Sequence, residues 1–198
     1  MLLPCNVMAQ SARKVLDAAA GRLTGEGGVV AQFKATAFTG TVPQEEVTGT
    51  LRMNGARFHM QTAQMQAWFD GTTEWTLLTD TREVNIAEPT EEELAAINPT
   101  TLIGIYKKGY AASISSATLR GRATHVVHLI AKRKDMPFTE IYVDVDKGTN
   151  DPLCIRAKRD GNWLRLSLLS IQTRQDLPAS AFTFPANDFP GVEVIDLR

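Results

Sequence analysis

The chain carries only two cysteines, three histidines and three tyrosines in 198 residues, and these scarcities narrow its chemistry before any pattern is read. One cysteine, Cys5, lies in an N-terminal stub, and the other sits in the apolar run Leu153-Cys154-Ile155. With the stub set aside, a lone cysteine cannot form an internal disulfide. In apolar company it reads as a small buried hydrophobe rather than a reactive thiol. No run approaches the ~20 apolar residues of a membrane-spanning helix. Net charge is −1, with 21 basic residues dispersed among 22 acidic ones. The basic stripe that nucleic-acid binding requires is therefore absent. The clusters Lys107-Lys108 and Lys132-Arg133-Lys134 read as solvated loop charges.

Catalytic and metal-binding patterns are equally scarce. His125 and His128 stand three apart in a stretch that reads as a strand, so they point to opposite faces and cannot share an ion. His59 shares the polar side of its strand with Arg57 and Gln61. The run Asp144-Val-Asp146-Lys-Gly148-Thr-Asn150-Asp151 imitates a calcium loop, but Ile155 stands where a bidentate Glu is required. The glycine also comes one place early, and the run is better explained as a turn between strands. No Gly-rich phosphate loop and no nucleophile elbow occurs. The sequence predicts a protein that is not an enzyme and holds no metal or cofactor.

What the chain does have is alternation. Val47, Gly49, Leu51 and Met53, then Phe58 and Met60, then Met65, Ala67 and Phe69 occupy every second position. Asp70-Gly71 reverses the chain into Trp75 and Leu77, and Val84 and Ile86 close the series. Period-two spacing puts these side chains on one face of paired strands, and Asp-Gly is a strong hairpin signal. The product is an antiparallel meander with one wet and one apolar face.

The rest of the chain supports a single domain over residues 10–198. Met1–Ala9 resembles the back half of a secretory signal peptide, with Val7-Met8-Ala9 as the cleavage site and the charged front end missing. A plain cytosolic tail is the alternative; a lipid anchor on Cys5 is disfavoured by Pro4. Ser11–Leu23 reads as a helix with Val15, Leu16, Ala19 and Leu23 on one stripe. Val29, Ala31, Phe33, Ala35 and Ala37 alternate as the first strand. After the meander, Thr90 and Glu93 form a capping box for a helical stretch from Pro89 to about Tyr106, interrupted at Asn98-Pro99. Further strands follow Gly109. The predicted fold is mainly β, within the α+β class. It is one large curved antiparallel sheet, a half-barrel of about ten or eleven strands, with two or three short helices over the concave face.

The apolar face can be read as a packed core or as a cavity wall. Met53, Met60 and Met65 crowd one region, and methionine adapts to variable apolar guests. The helices are also few for so broad a sheet.

Three stretches then carry a resemblance: Gly49-Thr-Leu51 leading to Arg57-Phe58, the hairpin Phe69-Asp70-Gly71-Thr72-Thr73-Glu74-Trp75, and Leu177 to Phe184 followed by Pro190 to Asp196. In order and spacing they are similar to the LolA family of periplasmic lipoprotein carriers. The resemblance implies a periplasmic monomer that holds the acyl chains of lipid-modified proteins. Such a carrier takes cargo from an inner-membrane lipoprotein-releasing transporter and delivers it to an outer-membrane acceptor. The cavity lining expected on this basis is Phe33, Leu51, Met53, Phe58, Met60, Met65, Phe69, Trp75 and Leu77 from the sheet, with Leu102 and Ile103 from the lid. Leu94, Ile97, Leu102 and Ile105 would form the lid itself. Some members place Arg-Pro after the second strand, where the Arg latches the lid. Asn54-Gly55 stands there in this chain, leaving Arg57 as the candidate latch. The same fold also serves sensors that bind lipid-like signals without shuttling them.

Overall fold

The computed structural model describes residues 5–25, 27–104 and 109–198. Helix α1 (Cys5–Thr24) is followed by strands β1 (Gly28–Thr39), β2 (Val42–Asn54), β3 (Arg57–Thr62), β4 (Met65–Phe69), β5 (Glu74–Leu78) and β6 (Glu83–Ala87). Two short helices, α2 (Glu91–Ile97) and α3 (Pro99–Gly104), come next. The chain continues through β7 (Tyr110–Leu119), β8 (Arg122–Ala131), β9 (Glu140–Asp146), β10 (Pro152–Arg159), β11 (Asn162–Gln175) and β12 (Glu193–Asp196). Helix α1 starts before the expected Ser11, at Cys5; Met1–Pro4 of the stub lie outside the described residues.

All twelve strands form one sheet, in the order β12-β6-β5-β4-β3-β2-β1-β11-β10-β9-β8-β7. Two meanders, β1–β6 and β7–β11, are thus joined along the antiparallel pair β1–β11. Strand β12 departs from the expected all-antiparallel sheet, because it pairs parallel to β6. Tight turns set much of the register. Arg120-Gly121 and Asp160-Gly161 each make a two-residue loop with both residues at positive φ, as the right-handed strand twist favours.

The Asp70-Gly71 hairpin closes differently. Phe69 pairs with Glu74, so the loop holds four residues, and Asp70 Oδ1 accepts the Thr72 and Thr73 N–H groups at 2.9 Å each. An even loop pairs odd with even positions, so Trp68, not Phe69 or Ala67, faces Trp75. The expected single apolar face therefore splits. Phe69, Ala67 and Met65 lie on the concave side, and Trp75 and Leu77 lie on the convex side.

The concave side carries the main core. Ala12, Leu16, Ala19 and Leu23 of α1 are all buried, on one helical stripe. They join a cluster that includes Val127, Leu129, Ile141, Val143 and Ile155 of the second meander. The end of α1 is pinned by charge, Arg22 Nε donating to Asp151 Oδ1 at 2.8 Å; Arg122 of β8 holds the same turn through Asp146 Oδ2 at 2.8 Å and Asp151 Oδ2 at 3.5 Å. Arg120 Nη2 donates to the carbonyls of Leu153 and Leu168 at 2.9 Å each. Both carbonyls fall at breaks in ladder register, where an extra residue leaves ladder partners missing.

On the convex side a second cluster forms from Trp68, Leu77 and Val84, with Trp75, Ile86, Phe184, Phe189 and Val192 packed against it. The closing segment from Ala179 onward thus wraps the outside of β4–β6, where Trp68 meets Phe184 and Phe189 edge-on at 5.4 and 5.9 Å.

The run suspected of imitating a calcium loop is a turn between β9 and β10. Burial opposes the charge of Asp146, but bonds from the Thr149 and Gly148 N–H groups, the Thr149 hydroxyl and Arg122 outweigh it. Its carboxyl is held below the usual value, so the stabilisation is present above the unfolded pKa and disappears as pH falls through the folded one. Asp146→Ala should lower urea-derived stability by about 1–3 kcal/mol at neutral pH. The deficit relative to wild type should shrink on acidification. A second prediction concerns α2, which begins with a complete capping box: Thr90 Oγ1 accepts the Glu93 N–H at 3.3 Å, and Glu93 Oε2 accepts the Thr90 N–H at 2.8 Å. Thr90→Ala should cost the helix about 1 kcal/mol, read as roughly fivefold faster hydrogen exchange at Leu94 and Asn98.

Candidate functional site

Strand β6 lies next to one edge of the sheet and β7 forms the other, so the chain between them must cross the open side of the half-barrel. Helices α2 and α3 make that crossing. Asn98 joins them: its N–H donates to Leu94 O at 2.8 Å, closing α2, and its Oδ1 accepts the Thr100 and Thr101 N–H groups at 2.9 and 3.4 Å, opening α3. Pro99 follows at the first position of α3, where a missing N–H costs nothing.

Beneath this crossing lies a cleft of about 260 Å³. Its floor is Phe33 and Ala35 of β1, Val47 of β2, Met60 and Thr62 of β3, Met65 of β4, and Leu164 and Leu166 of β11. Asn98, Pro99 and Leu102 form its roof, and Glu45 and Gln64 stand at the rim. Two of the polar groups in the lining are satisfied locally. The amide oxygen of Asn98 serves the α3 N-terminus, while Thr62 Oγ1 donates to Met65 O at 3.1 Å and accepts the Met65 N–H at 3.0 Å. The cleft offers a guest little but apolar surface.

Gly49 decides how Phe33 sits. The two residues face each other across β1–β2, and a Cβ at Gly49 would stand 2.7 Å from the Phe33 ring and against the Gln61 carbonyl. Glycine at this position gives the Phe33 ring room that any side chain would take.

Four of the expected lining residues meet at this cleft: Phe33, Met60, Met65 and Leu102. Leu51, Met53, Phe58, Phe69 and Ile103 are instead buried in the continuous core beside it. Met53 still touches the lid, since Thr100 Oγ1 donates to its sulfur at 3.8 Å. Trp75 and Leu77 belong to the convex cluster, a correction that follows from the even loop. Leu94 packs half-buried against the main core and Leu102 is buried. Ile97 ends α2, but its side chain and the whole of Ile105 lie outside the described residues.

Arg57 alternates with Phe58 and lies on the opposite side of β3, with its guanidinium 5.3 Å from the centroid of Phe182. Phe182 is fully buried and belongs to the closing segment. Arg57 therefore fastens that segment to the convex side, away from the helices it was expected to latch.

Leu164, Leu166, Ala35, Val47 and Pro99 are lining residues that sequence reasoning missed. The alternation Leu164, Leu166, Leu168 was the available signal. Its use needed the β1–β11 pairing, which links residues about 130 apart and leaves no local trace. Beyond β4 the concave face turns polar, with Glu74, Thr76 and Asn85 at a separate cleft beside Glu93. Burial raises the Glu74 carboxyl above its usual value, although a bond from Thr76 opposes this.

His59 and Cys154 sit in local packing contacts, and the two histidines of β8 are kept apart. His59 stacks on Trp68 at 4.8 Å, and burial lowers its pKa. His128 and His125 lie on opposite faces of β8, as their register partners Tyr142 and Val145 show. Cys154 is buried, which pushes its thiol upward, and its sulfur lies 3.9 Å from Ser167 Oγ. Among the described residues no three His, Cys, Asp or Glu side chains converge as metal ligands, and no helix is long and apolar enough to cross a membrane.

Comparison with known proteins agrees with this architecture. A family model described as outer membrane lipoprotein carrier protein LolA matches residues 5–162. No curated protein sequence matches. Among solved structures, an uncharacterized conserved protein from Thermus thermophilus is similar with a TM-score of 0.64 at 12% identity, covering 94% of this chain and 99% of that one. A LolA superfamily protein from Nitrosomonas europaea is similar at 0.51 and 10%, covering 88% and 98%. LprF from Mycobacterium bovis is similar at 0.50 and 10%, covering 85% and 96%. At such identities these likenesses speak to the fold alone, while the sequence model spans most of the chain. The chain belongs to the family of the outer membrane lipoprotein carrier protein LolA.

Proposed function

We propose that this protein is a non-enzymatic periplasmic carrier that binds the acyl chains of lipid-modified proteins beneath α2 and α3 and delivers them toward the outer membrane. The observation that carries this reading is the cleft itself: an apolar floor on five strands, roofed by two short helices, with the Asn98 amide oxygen and the Thr62 hydroxyl already bonded. It would work as a monomer, between an inner-membrane lipoprotein-releasing transporter and an outer-membrane acceptor.

Energetics permit such carriage without a covalent bond. Burying an acyl chain yields about 0.8 kcal/mol per CH₂, so one long chain is worth at most roughly 10 kcal/mol. Volume sets the other condition. At about 260 Å³ the cleft is below the ~300–1,000 Å³ usual for small-ligand sites, so cargo entry requires the helices to lift. They are suited to it: α2 has seven residues and α3 six, too short to be stable without tertiary packing.

Native mass spectrometry after co-expression with a lipoprotein tests the proposal. An acylated polypeptide should co-purify with the wild-type protein and be lost from Met60→Glu and from Leu102→Glu, with circular dichroism reporting whether each variant is folded. Retention of cargo by both folded variants would show that the lining has been misplaced. Free lipid in place of polypeptide would favour a sensor of the same fold.

A further inference from the structure

The side of the sheet turned away from α1, α2 and α3 holds a second concavity, of about 390 Å³, lined by Phe38, Tyr142, Arg156, Trp163 and Arg165 with the Gly40-Thr41 turn. Four strands build it in register. Tyr142 of β9 faces Arg156 of β10, Arg156 faces Arg165 of β11, and Arg165 faces Thr36 of β1. Two guanidinium groups thus stand directly opposite each other on neighbouring strands, an arrangement that repels.

Both groups are held in place. The Arg156 guanidinium lies 4.7 Å over the Tyr142 ring, and that of Arg165 lies 5.0 Å over Phe38. Lys158 adds a third cation, 5.5 Å over Trp163. Stacking uses the flat face of a guanidinium and leaves its N–H edge to hydrogen-bond: Arg156 gives one N–H to Asp144 and Arg165 one to Thr36, and the remaining donors can serve an anion. The local acids offset part of this charge, with Asp144 paired to Arg156 and Glu140 opposite Lys158, and leave Arg165 without an acidic partner among the described residues. Asp144 is 3.2 Å from Arg156, Glu140 is engaged with His128 and the Tyr142 hydroxyl, and Glu46 with Lys34. Beyond its stack on Phe38, Arg165 donates to the Thr36 hydroxyl at 3.5 Å.

We propose that this convex-side pocket binds a phosphate ester, with the phosphate between Arg156 and Arg165 and its organic part against Trp163 and Phe38. A carboxylate has two oxygens and fully occupies one guanidinium fork, whereas a phosphate can serve two forks at once. The volume falls within the ~300–1,000 Å³ of small-ligand sites. The ester is either soluble or the headgroup of an anionic phospholipid. The site is independent of the acyl cleft, being on the other face of the sheet. With a net charge of −1, the chain as a whole has no attraction to anions that would imitate it.

The test uses glycerol 3-phosphate, followed by calorimetry, and vesicles of phosphatidylcholine with or without phosphatidylglycerol, followed by co-sedimentation. Wild-type protein should bind glycerol 3-phosphate, phosphatidylglycerol vesicles, or both. Binding to the vesicles that glycerol 3-phosphate competes away assigns the headgroup; binding to glycerol 3-phosphate alone assigns a soluble ester. Arg165→Gln should weaken binding by about tenfold or more, and Arg165→Lys by less, since charge remains without the fork. Because Arg165→Gln also removes the like-charge contact, its thermal midpoint should equal or exceed that of wild type, which a purely structural arginine would not permit. Arg133→Gln, at an exposed ion pair with Asp135, should leave binding unchanged. Absence of binding by the wild type, or equal weakening by Arg133→Gln, overturns the proposal.

Discussion

The pairing of β1 with β11 is the constraint on which the rest of the structure depends. It fuses two meanders into one sheet and pushes β6 and β7 toward opposite ends. The segment between them has to travel across the open side of a curved sheet, and a stretch of backbone crossing an apolar face must satisfy its own polar groups. Short helices do that. The roof of the cleft is therefore a by-product of connectivity, and the cleft exists because two short helices cannot fill the width they span. The same pairing brings Leu164 and Leu166 beside Phe33 and Ala35, so both meanders share one floor.

Most of the secondary structure was legible in the sequence, because strand alternation, capping and turn residues are local signals. The Thr90–Glu93 box, the Asn98-Pro99 junction and the hairpin turns are found where they were expected. The site was only partly legible. Phe33, Met60, Met65 and Leu102 were among the lining residues that the resemblance implied, and they do meet at one cleft. Trp75 and Leu77 were misplaced because alternation gives the period of a strand and not its phase, and phase is passed through a hairpin by loop length. Arg57 was assigned to the lid because it neighbours the Asn54-Gly55 corner. Its true neighbour, Phe182, is far away in sequence. The two cationic side chains of the convex pocket were invisible for the same reason, since Arg156 and Arg165 look like ordinary outward residues until the strands are laid side by side.

The two faces of the sheet thus divide the chemistry. Beneath α2 and α3 the concave face is mostly apolar, so selectivity for a guest there would rest on volume and on the work of raising the two helices. The convex face holds aromatic rings and fixed cations between β9 and β1, and the closing segment covers β4 to β6. Sealing that second region hides Trp68 and Leu77, which would otherwise expose an apolar patch on the outside of the half-barrel.

The loop from Asp70 to Thr73 carries a constraint on how the protein can change over generations. Its even length decides which face Trp75 and Leu77 occupy, so inserting or deleting a single residue would turn Glu74 and Thr76 toward the closing segment and both large side chains toward the lid. Unless a bulge absorbs the extra residue, lineages of this chain can lengthen or shorten the loop only two residues at a time.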